Sequence, residues 1–370
     1  MADRHRRRID QIGIYFGKLT RMFLYQNDWK VIPMAMLIAA VVSLVVKKDF
    51  FVNMEGTLKG ALALSCIGIW NGCFNSIQVI CRERDVVKRE HRSGMHISSY
   101  IISHMLYQMI LCLLQTVATV VILVAIGIKF PTKGVISDYM LVDIGVTVFL
   151  ITYAADMMAL FISAIVRNTT TAMTIMPFLL IVQLIFSGGI FALPEWSDSI
   201  AKFTISHYGL RCIAAEAGFN DLPSTTAWNT LEKMKDSDVP VSITKGELAR
   251  MFQNEDVTAI RRLRETDVKV TNDFTVNVGE VGDSVIDQYN LTENTEAITF
   301  SFTIKDMIDL VGEEAMEKYI KEKTSATMRR DYYDQTPKNI AIYWASLAAF
   351  ALICAALATV ALEFIDKDKR

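Results

Sequence analysis

Residues 81–100 read CRERDVVKREHRSGMHISSY. Arg82, Glu83, Arg84, Asp85, Lys88, Arg89, Glu90, His91 and Arg92 crowd into this stretch, between the apolar runs Ala61–Ile80 and Ile97–Ile128. Charge at that density cannot lie in hydrocarbon, so the stretch is a loop on one face of a membrane. Its excess of Lys and Arg places it in the cytoplasm. A short charged loop between two spans is a surface that a soluble partner can grip.

The rest of the chain supports a membrane setting. Of the 370 residues, 52% are hydrophobic, and the mean hydropathy is +0.30. That exceeds the apolar share of a soluble domain, and the excess lies in long runs. The net charge of −2 excludes nothing, because the charges are segregated by segment. The six cysteines are Cys66, Cys73, Cys81, Cys112, Cys212 and Cys354. Their spacing fits neither a metal site nor a disulfide framework.

Taken in order, residues 1–30 form a basic N-terminus followed by a helix with one greasy face at 9, 12, 16, 19, 22 and 23. With Lys18 and Arg21 beside that face, the segment reads as a helix lying in the cytoplasmic interface; a helix packed in a soluble layer is the alternative. The first apolar run starts only at Val31, which predicts no cleaved leader. Spans are expected at Val31–Val46, Ala61–Ile80, Ile97–Ile128, Tyr139–Val166 and Thr171–Ile190, within residues 31–190, with the cytoplasmic loop at 81–96. The last is Ile340–Phe364, within residues 338–370. Six spans put both termini in the cytoplasm and residues 191–337 outside.

That outer segment has two parts. Residues 191–219 are too polar to span and too apolar for a free loop, which suggests short re-entrant helices protected by neighbouring protein. Residues 220–337 have globular composition, with acidic side chains in excess. Ile298, Phe300, Phe302 and Ile304 alternate with polar residues as in a half-buried strand, and Val268–Val278 looks like another. Asp306–Lys323 has helical periodicity. The expected fold is therefore an α-helical polytopic membrane protein with six transmembrane helices, an amphipathic N-terminal interfacial helix, and an extracellular α+β domain between the fifth and sixth helices.

Enzymatic motifs are missing. There is no GxxxxGK[ST] phosphate loop, HExxH, CxxC or GxSxG, so catalysis and ATP hydrolysis are not expected of this chain. Asp143 and Asp156 are intramembrane carboxylates, read either as a proton or cation site or as structural groups bonded to neighbouring helices. Asn71, Asn75 and Gln78 fall at i, i+4, i+7 on the second span, with Phe74 beside them. They read either as amides bridging helices or as the wall of a cavity.

Four blocks resemble the membrane half of G-subfamily (ABCG-like) ATP-binding-cassette exporters: NGCFNSI (Asn71–Ile77), RERDVVKREHRSGMHISSY (Arg82–Tyr100), TYAADMMALFISA (Thr152–Ala164), and FSGGIFALPEW with ISHYGLRCIAAEAGF (within Phe186–Phe219). The resemblance implies a homo- or heterodimer of six-span halves in the plasma membrane, contacting membrane lipids and no nucleic acid. It also implies a partner ABC ATPase that carries ATP and Mg, with no cofactor bound by this chain. Under it, Glu83, Arg84, Val86, Val87, Arg89 and Glu90 form the coupling helix on the ATPase, and Ile9–Tyr25 the connecting helix. Asn71, Phe74, Asn75, Gln78 and Ile181 line the substrate cavity, and Gly188, Gly189 and Ile190 stand at the outer gate.

The chain departs from that family in four respects. It starts at the connecting helix, whereas an ATPase domain precedes this region in the family. Gly189 and Ile190 stand where paired leucines are usual. The loop before the last span is longer and lacks the family's cysteines, which points to a bacterial protein. Asp156 replaces a small polar residue, a change that favours cationic substrates. The expected function is the permease subunit of an ATP-driven exporter of an amphipathic or lipophilic small molecule, lipid or peptide. The alternatives are a membrane sensor or immunity component whose external domain captures a peptide or antibiotic, and an ion-coupled secondary carrier.

Overall fold

The computed structural model describes residues 7–25, 28–189, 195–244, 267–270, 274–277, 297–305, 308 and 312–364. They fall into two units, Met1–Pro223 with Met328–Arg370, and Ser224–Thr327. In chain order the first unit holds α1 (Arg8–Tyr25), α2 (Val31–Val46), α3 (Met54–Ser76), α4 (Val79–Arg82), α5 (Arg84–Arg92), α6 (Ile97–Ile126), α7 (Met140–Ile165), α8 (Thr169–Ile185), α9 (Glu195–Ala201) and α10 (Ile205–Glu216). The second unit holds α11 (Thr226–Lys233), β1 (Asp238–Thr244), β2 (Asp267–Val270), β3 (Phe274–Asn277), β4 (Ala297–Thr303) and α12 (Glu313–Met328). α13 (Pro337–Glu363) returns to the first unit.

Among the described residues, four helical stretches are long and apolar enough to cross a membrane: Met54–Arg82, Ile97–Ile126, Met140–Ile165 and Pro337–Glu363. Two shorter apolar helices are Val31–Val46 and Thr169–Ile185. At about 1.5 Å per residue, α2 rises about 24 Å, short of the ~30 Å hydrocarbon layer. The sequence supplies the helix ends. Asn53 caps α3 by accepting from the Gly56 amide at 2.6 Å, and Asn168 caps α8 by accepting from the Thr171 amide at 2.8 Å. Gly127, at φ 87°, closes α6 in the left-handed region. Thr336 caps α13 with Pro337 in its first turn.

α7 is the centre of this unit. It packs on α3, α13, α6 and α10, and most of its side chains are buried. Close approach to α3 depends on Gly72, where an added Cβ would collide with the Thr152 carbonyl oxygen. On α13 the buried residues include Leu347, Ala351, Ala355 and Ala358. Lipid tails are as apolar as leucine, so helices here associate through small residues, tight van der Waals contact and buried polar bonds rather than hydrophobic expulsion. α2 and α8 are peripheral. α2 buries only Ala35, Ala39 and Ser43. α8 buries Ala172, Met176 and Gln183, leaving Phe178, Ile181 and Val182 exposed.

Two elements of this unit differ from expectation. The second span was expected from Ala61, whereas α3 starts at Met54 and runs through Lys59. Its first turns are too polar for an apolar window, but Asn53 starts the helix chemically. Residues 328–336, expected in the external domain, pack with the helical unit. There Asn220 Nδ2 donates to the Arg330 carbonyl at 2.9 Å and to Asp334 at 2.6 Å.

In the second unit, the sheet order is β1-β4-β2-β3, with all described pairs antiparallel. The strand expected at Ile298–Ile304 corresponds to β4. Val268–Val278 is not one strand but a pair, β2 and β3, with Asp267 opposite Asn277. Within the helix expected over Asp306–Lys323, Ile308 is helical and α12 starts at Glu313, with Gly312 at φ 90° just before it; residues 306, 307 and 309–311 lie outside the described residues. Trp228, Ile304 and Ile308 form a small cluster with Leu231, Met316 and Ile320.

Candidate functional site

The charged loop forms a helix, α5, and the structure gives its side chains unequal roles. Four of the six residues expected to couple to a partner make internal contacts. Glu83 accepts from Lys18 Nζ at 2.9 Å. Glu90 accepts from the Tyr15 hydroxyl at 3.0 Å. Arg84 Nη1 donates to the Ala164 and Val166 carbonyls at 2.8 and 3.1 Å, so its charge sits on the carbonyl end of α7, where the helix dipole favours a cation. Val87 is buried at 1% exposure. Val86 is half-buried, and Arg89 is exposed beside Arg82, Asp85 and Arg92.

The partner of this loop within the chain is α1. Gln11, Tyr15 and Lys18 stand at i, i+4, i+7, which puts them on one face of the helix. Gln11 accepts from the His96 amide at 2.9 Å and donates to the Gly94 carbonyl at 3.3 Å. Tyr15 packs edge-on to Tyr100 of α6, with ring centroids 5.6 Å apart, and the Ser103 hydroxyl donates to the Ile12 carbonyl at 3.1 Å. α1 is therefore clasped to both ends of the loop. Burial, and then the neighbouring Glu90 carboxylate, hold the Tyr15 phenol well above its ordinary value, so it stays protonated and donates. From the sequence, α1 appeared as an amphipathic helix with a greasy face; its polar face carries the specific contacts.

Behind α5 lies a polar seam through the spans. Asn75 and Gln115 bond reciprocally at 2.8 and 3.0 Å, joining α3 to α6. Gln108 Nε2 donates to Ser76 Oγ at 2.8 Å. Cys112 Sγ donates to Asp156 Oδ2 at 3.2 Å. Asp156 is fully buried and its Oδ1 has no partner. Its side chain lies among neighbouring helices, bonded to α6 through Cys112. Asn71 is also buried, at 5% exposure. Phe74 and Ile181 are about half exposed. Phe74, Asn75 and Gln78 do line one cavity of about 200 Å³, which they share with α1 and α6 rather than with Ile181. Sequence reasoning overlooked His104 and Gln108 on its wall. The signal was present: His104, Gln108, Cys112 and Gln115 recur at helical spacing along the apolar run of α6.

At the other end, Asp143 accepts from the amides of Val135, Ile136 and Ser137 at 2.7, 3.0 and 3.0 Å. Three backbone donors make it the anchor of the loop before α7. Glu216, also overlooked, is buried and accepts from Thr147. Thr147 in turn accepts from Trp344 Nε1 at 2.7 Å, so α10, α7 and α13 are tied together. Gly188 lies at φ 76°. Gly189 packs so closely on α10 that an added Cβ would sit 2.5 Å from Leu210. Ile190 lies outside the described residues. No group of His, Cys, Asp and Glu among the described residues could hold a metal.

No curated protein matches the chain. Residues 18–215 match the family model described as ABC-2 type transporter. This segment begins within α1, includes the charged loop and ends within α10, and so covers the clasp at Lys18, the polar seam and both expected carboxylates. With apolar helices on either side of a charged, internally braced loop, the chain belongs to the ABC-2 type transporter family, as the multi-pass membrane permease component, itself non-catalytic, of a transporter that works with an ABC ATPase.

Proposed function

We propose that the chain is one half of a dimeric, ABCG-like exporter that moves an amphipathic or lipophilic molecule out of a bacterial cell by alternating access. In this reading α2 and α8 complete a set of six spans, both termini are cytoplasmic, and residues 191–337 lie outside. ATP and Mg bind the partner ATPase. The exposed side of α5, with Arg89, Arg82 and Asp85, meets that ATPase. Glu83, Arg84, Val87 and Glu90 pass its movement on to α1 and α7. Phe74 and Ile181, exposed on the faces of α3 and α8, line the substrate path between the two halves. Gly188 and Gly189 let the chain turn tightly at the outer gate.

The observation that carries this reading is the clasp between α1 and the loop. A partner that pushes on α5 pushes on α1 and α7, which are bonded to it, and through α1 on α6. Reversing the Lys18–Glu83 pair tests the idea. Lys18→Glu should lower ATP-driven transport while the chain still inserts in the membrane, and Lys18→Glu with Glu83→Lys should restore it. Equal transport in the wild type and the single reversal would overturn the assignment.

A further inference from the structure

We propose that Ser163 of α7 is a positioning residue for the loop helix α5: its hydroxyl holds a break in the second span and so sets the direction in which α5 meets the ATPase. The inference rests on the reading of α5 as the ATPase contact. Met54–Arg82 has the length and apolarity of one continuous span, yet α3 stops at Ser76 and α4 starts at Val79. Between them Gln78 sits at φ −109°, ψ −8°, away from the helical values of about −63° and −42°. Proline and glycine are the usual causes of such a break, and neither occurs from Cys73 to Ser93. A side chain that enters the backbone ladder is another cause, and Ser163 does this. In an unbroken helix the Ile80 and Cys81 amides would donate to the Ser76 and Ile77 carbonyls. Here both donate to Ser163 Oγ, at 3.0 and 3.1 Å. A hydroxyl oxygen has the two lone pairs this requires, and Ser163 is fully buried. The Cys81 thiol meets the carbonyls on the other side of the break, Gln78 at 3.4 Å and Ile77 at 3.8 Å. Arg84, in the first turn of α5, takes the Ala164 and Val166 carbonyls, just beyond Ser163. The end of α7 is thus a seat for α4 and the start of α5. Without the hydroxyl, two buried amides would lose their acceptor. The nearest replacements are the Ser76 and Ile77 carbonyls, which they reach if the helix runs on through the break, and α5 is then re-aimed.

The test has two arms, both on the full chain in nanodiscs. The first needs no ATPase. Spin labels on unnatural amino acids, which leave Cys81 in place, replace the exposed residues Trp70 of α3 and Arg92 of α5, and the labelled chain is diluted with unlabelled chain. Ser163→Ala should shift the distance between them by about 2 Å or more, the scale on which packed helices move. Ser163→Ala with Val79→Pro should return it to the wild-type value. Proline suits the first position of α4, and in an unbroken helix it would collide with the Asn75 carbonyl. Ile80→Pro, barred in the same way by the Ser76 carbonyl, replaces Val79→Pro if that variant does not fold. The second arm titrates the unlabelled variants with the ATPase subunit. Ser163→Ala should weaken its binding by about tenfold, the worth of one well-placed charged contact, and the proline variant should restore it. A purely structural loss of the hydroxyl would not be repaired by proline. A distance unchanged in Ser163→Ala, a shift that proline does not reverse, or ATPase binding equal to wild type despite the shift would each overturn the role of Ser163 alone. A wild-type chain that does not bind the ATPase, or binds it equally well as Arg89→Glu, would instead overturn the reading of α5 as the contact, and this inference with it.

Discussion

Tyr15→Phe isolates one bond of the clasp. The ring remains to pack edge-on to Tyr100, and only the hydroxyl that donates to Glu90 at 3.0 Å is lost. A net hydrogen bond to a charged group contributes about 1.5–3 kcal/mol. Glu90 is half-buried, so the low end applies: ~1.5 kcal/mol, or about tenfold in the equilibrium between clasped and released α1. The assay is hydrogen exchange on the purified chain, read at the amides of α1 and α5. Tyr15→Phe should raise exchange in both segments by about tenfold while α7 stays unchanged. The double variant Tyr15→Phe with Glu90→Gln should exchange no faster than Tyr15→Phe alone, because both remove the same bond. Exchange confined to α1, or additive effects of the two substitutions, would refute the bond as the link. The phenol also sets a pH expectation. Its pKa is raised in the folded chain, so its contribution is complete below the ordinary tyrosine value of about 10 and is lost only as pH rises through the folded one. Its contribution to the clasp should therefore be constant between about pH 6 and 9.

Arg84→Gln removes a cation from the last turn of α7 and two bonds to its carbonyls; the thermal midpoint should fall by an amount corresponding to about 1–3 kcal/mol. Gly72→Val should fail to assemble, since its Cβ collides with backbone and not with a movable side chain; recovery of folded chain by size-exclusion chromatography reads this out. Asp156→Asn keeps the shape of a buried group that faces other helices, so ATP-driven transport should persist; loss of an ATP-independent transport activity instead would favour an ion-coupled carrier.

Much of the helical unit was legible in the sequence because long apolar runs admit few alternatives. α2, α6 and α7 fall within about two residues of the apolar runs that predict them. The start of α3 was not legible, because Glu55 and Lys59 break the apolar window that Asn53 nevertheless caps. The stretch at 81–100 is legible as a charged loop, and its helix only through the family resemblance; that resemblance assigns Glu83, Arg84, Arg89 and Glu90 to an outside partner, whereas three of them bond within the chain. Pairing is a tertiary property: nothing local marks Glu83 for Lys18, 65 residues away. The same limit hid Glu216, whose partner Thr147 comes from another helix. The amides at 75 and 78 support both readings left open. Asn75 bridges helices and also lines the cavity that Gln78, just past the end of α3, lines. The β2–β3 pair was read as a single strand because Val268, Val270, Phe274 and Val276 keep one alternation across both.

Reconstitution of the chain in proteoliposomes, with and without its ATPase subunit, tests the central claim most directly. Uptake of an amphipathic fluorescent substrate should require both ATP and the ATPase, and should fall in Lys18→Glu while the ATPase still hydrolyses ATP. Uptake that proceeds without the ATPase, or that is unaffected when the α1–loop pair is broken, would contradict the account.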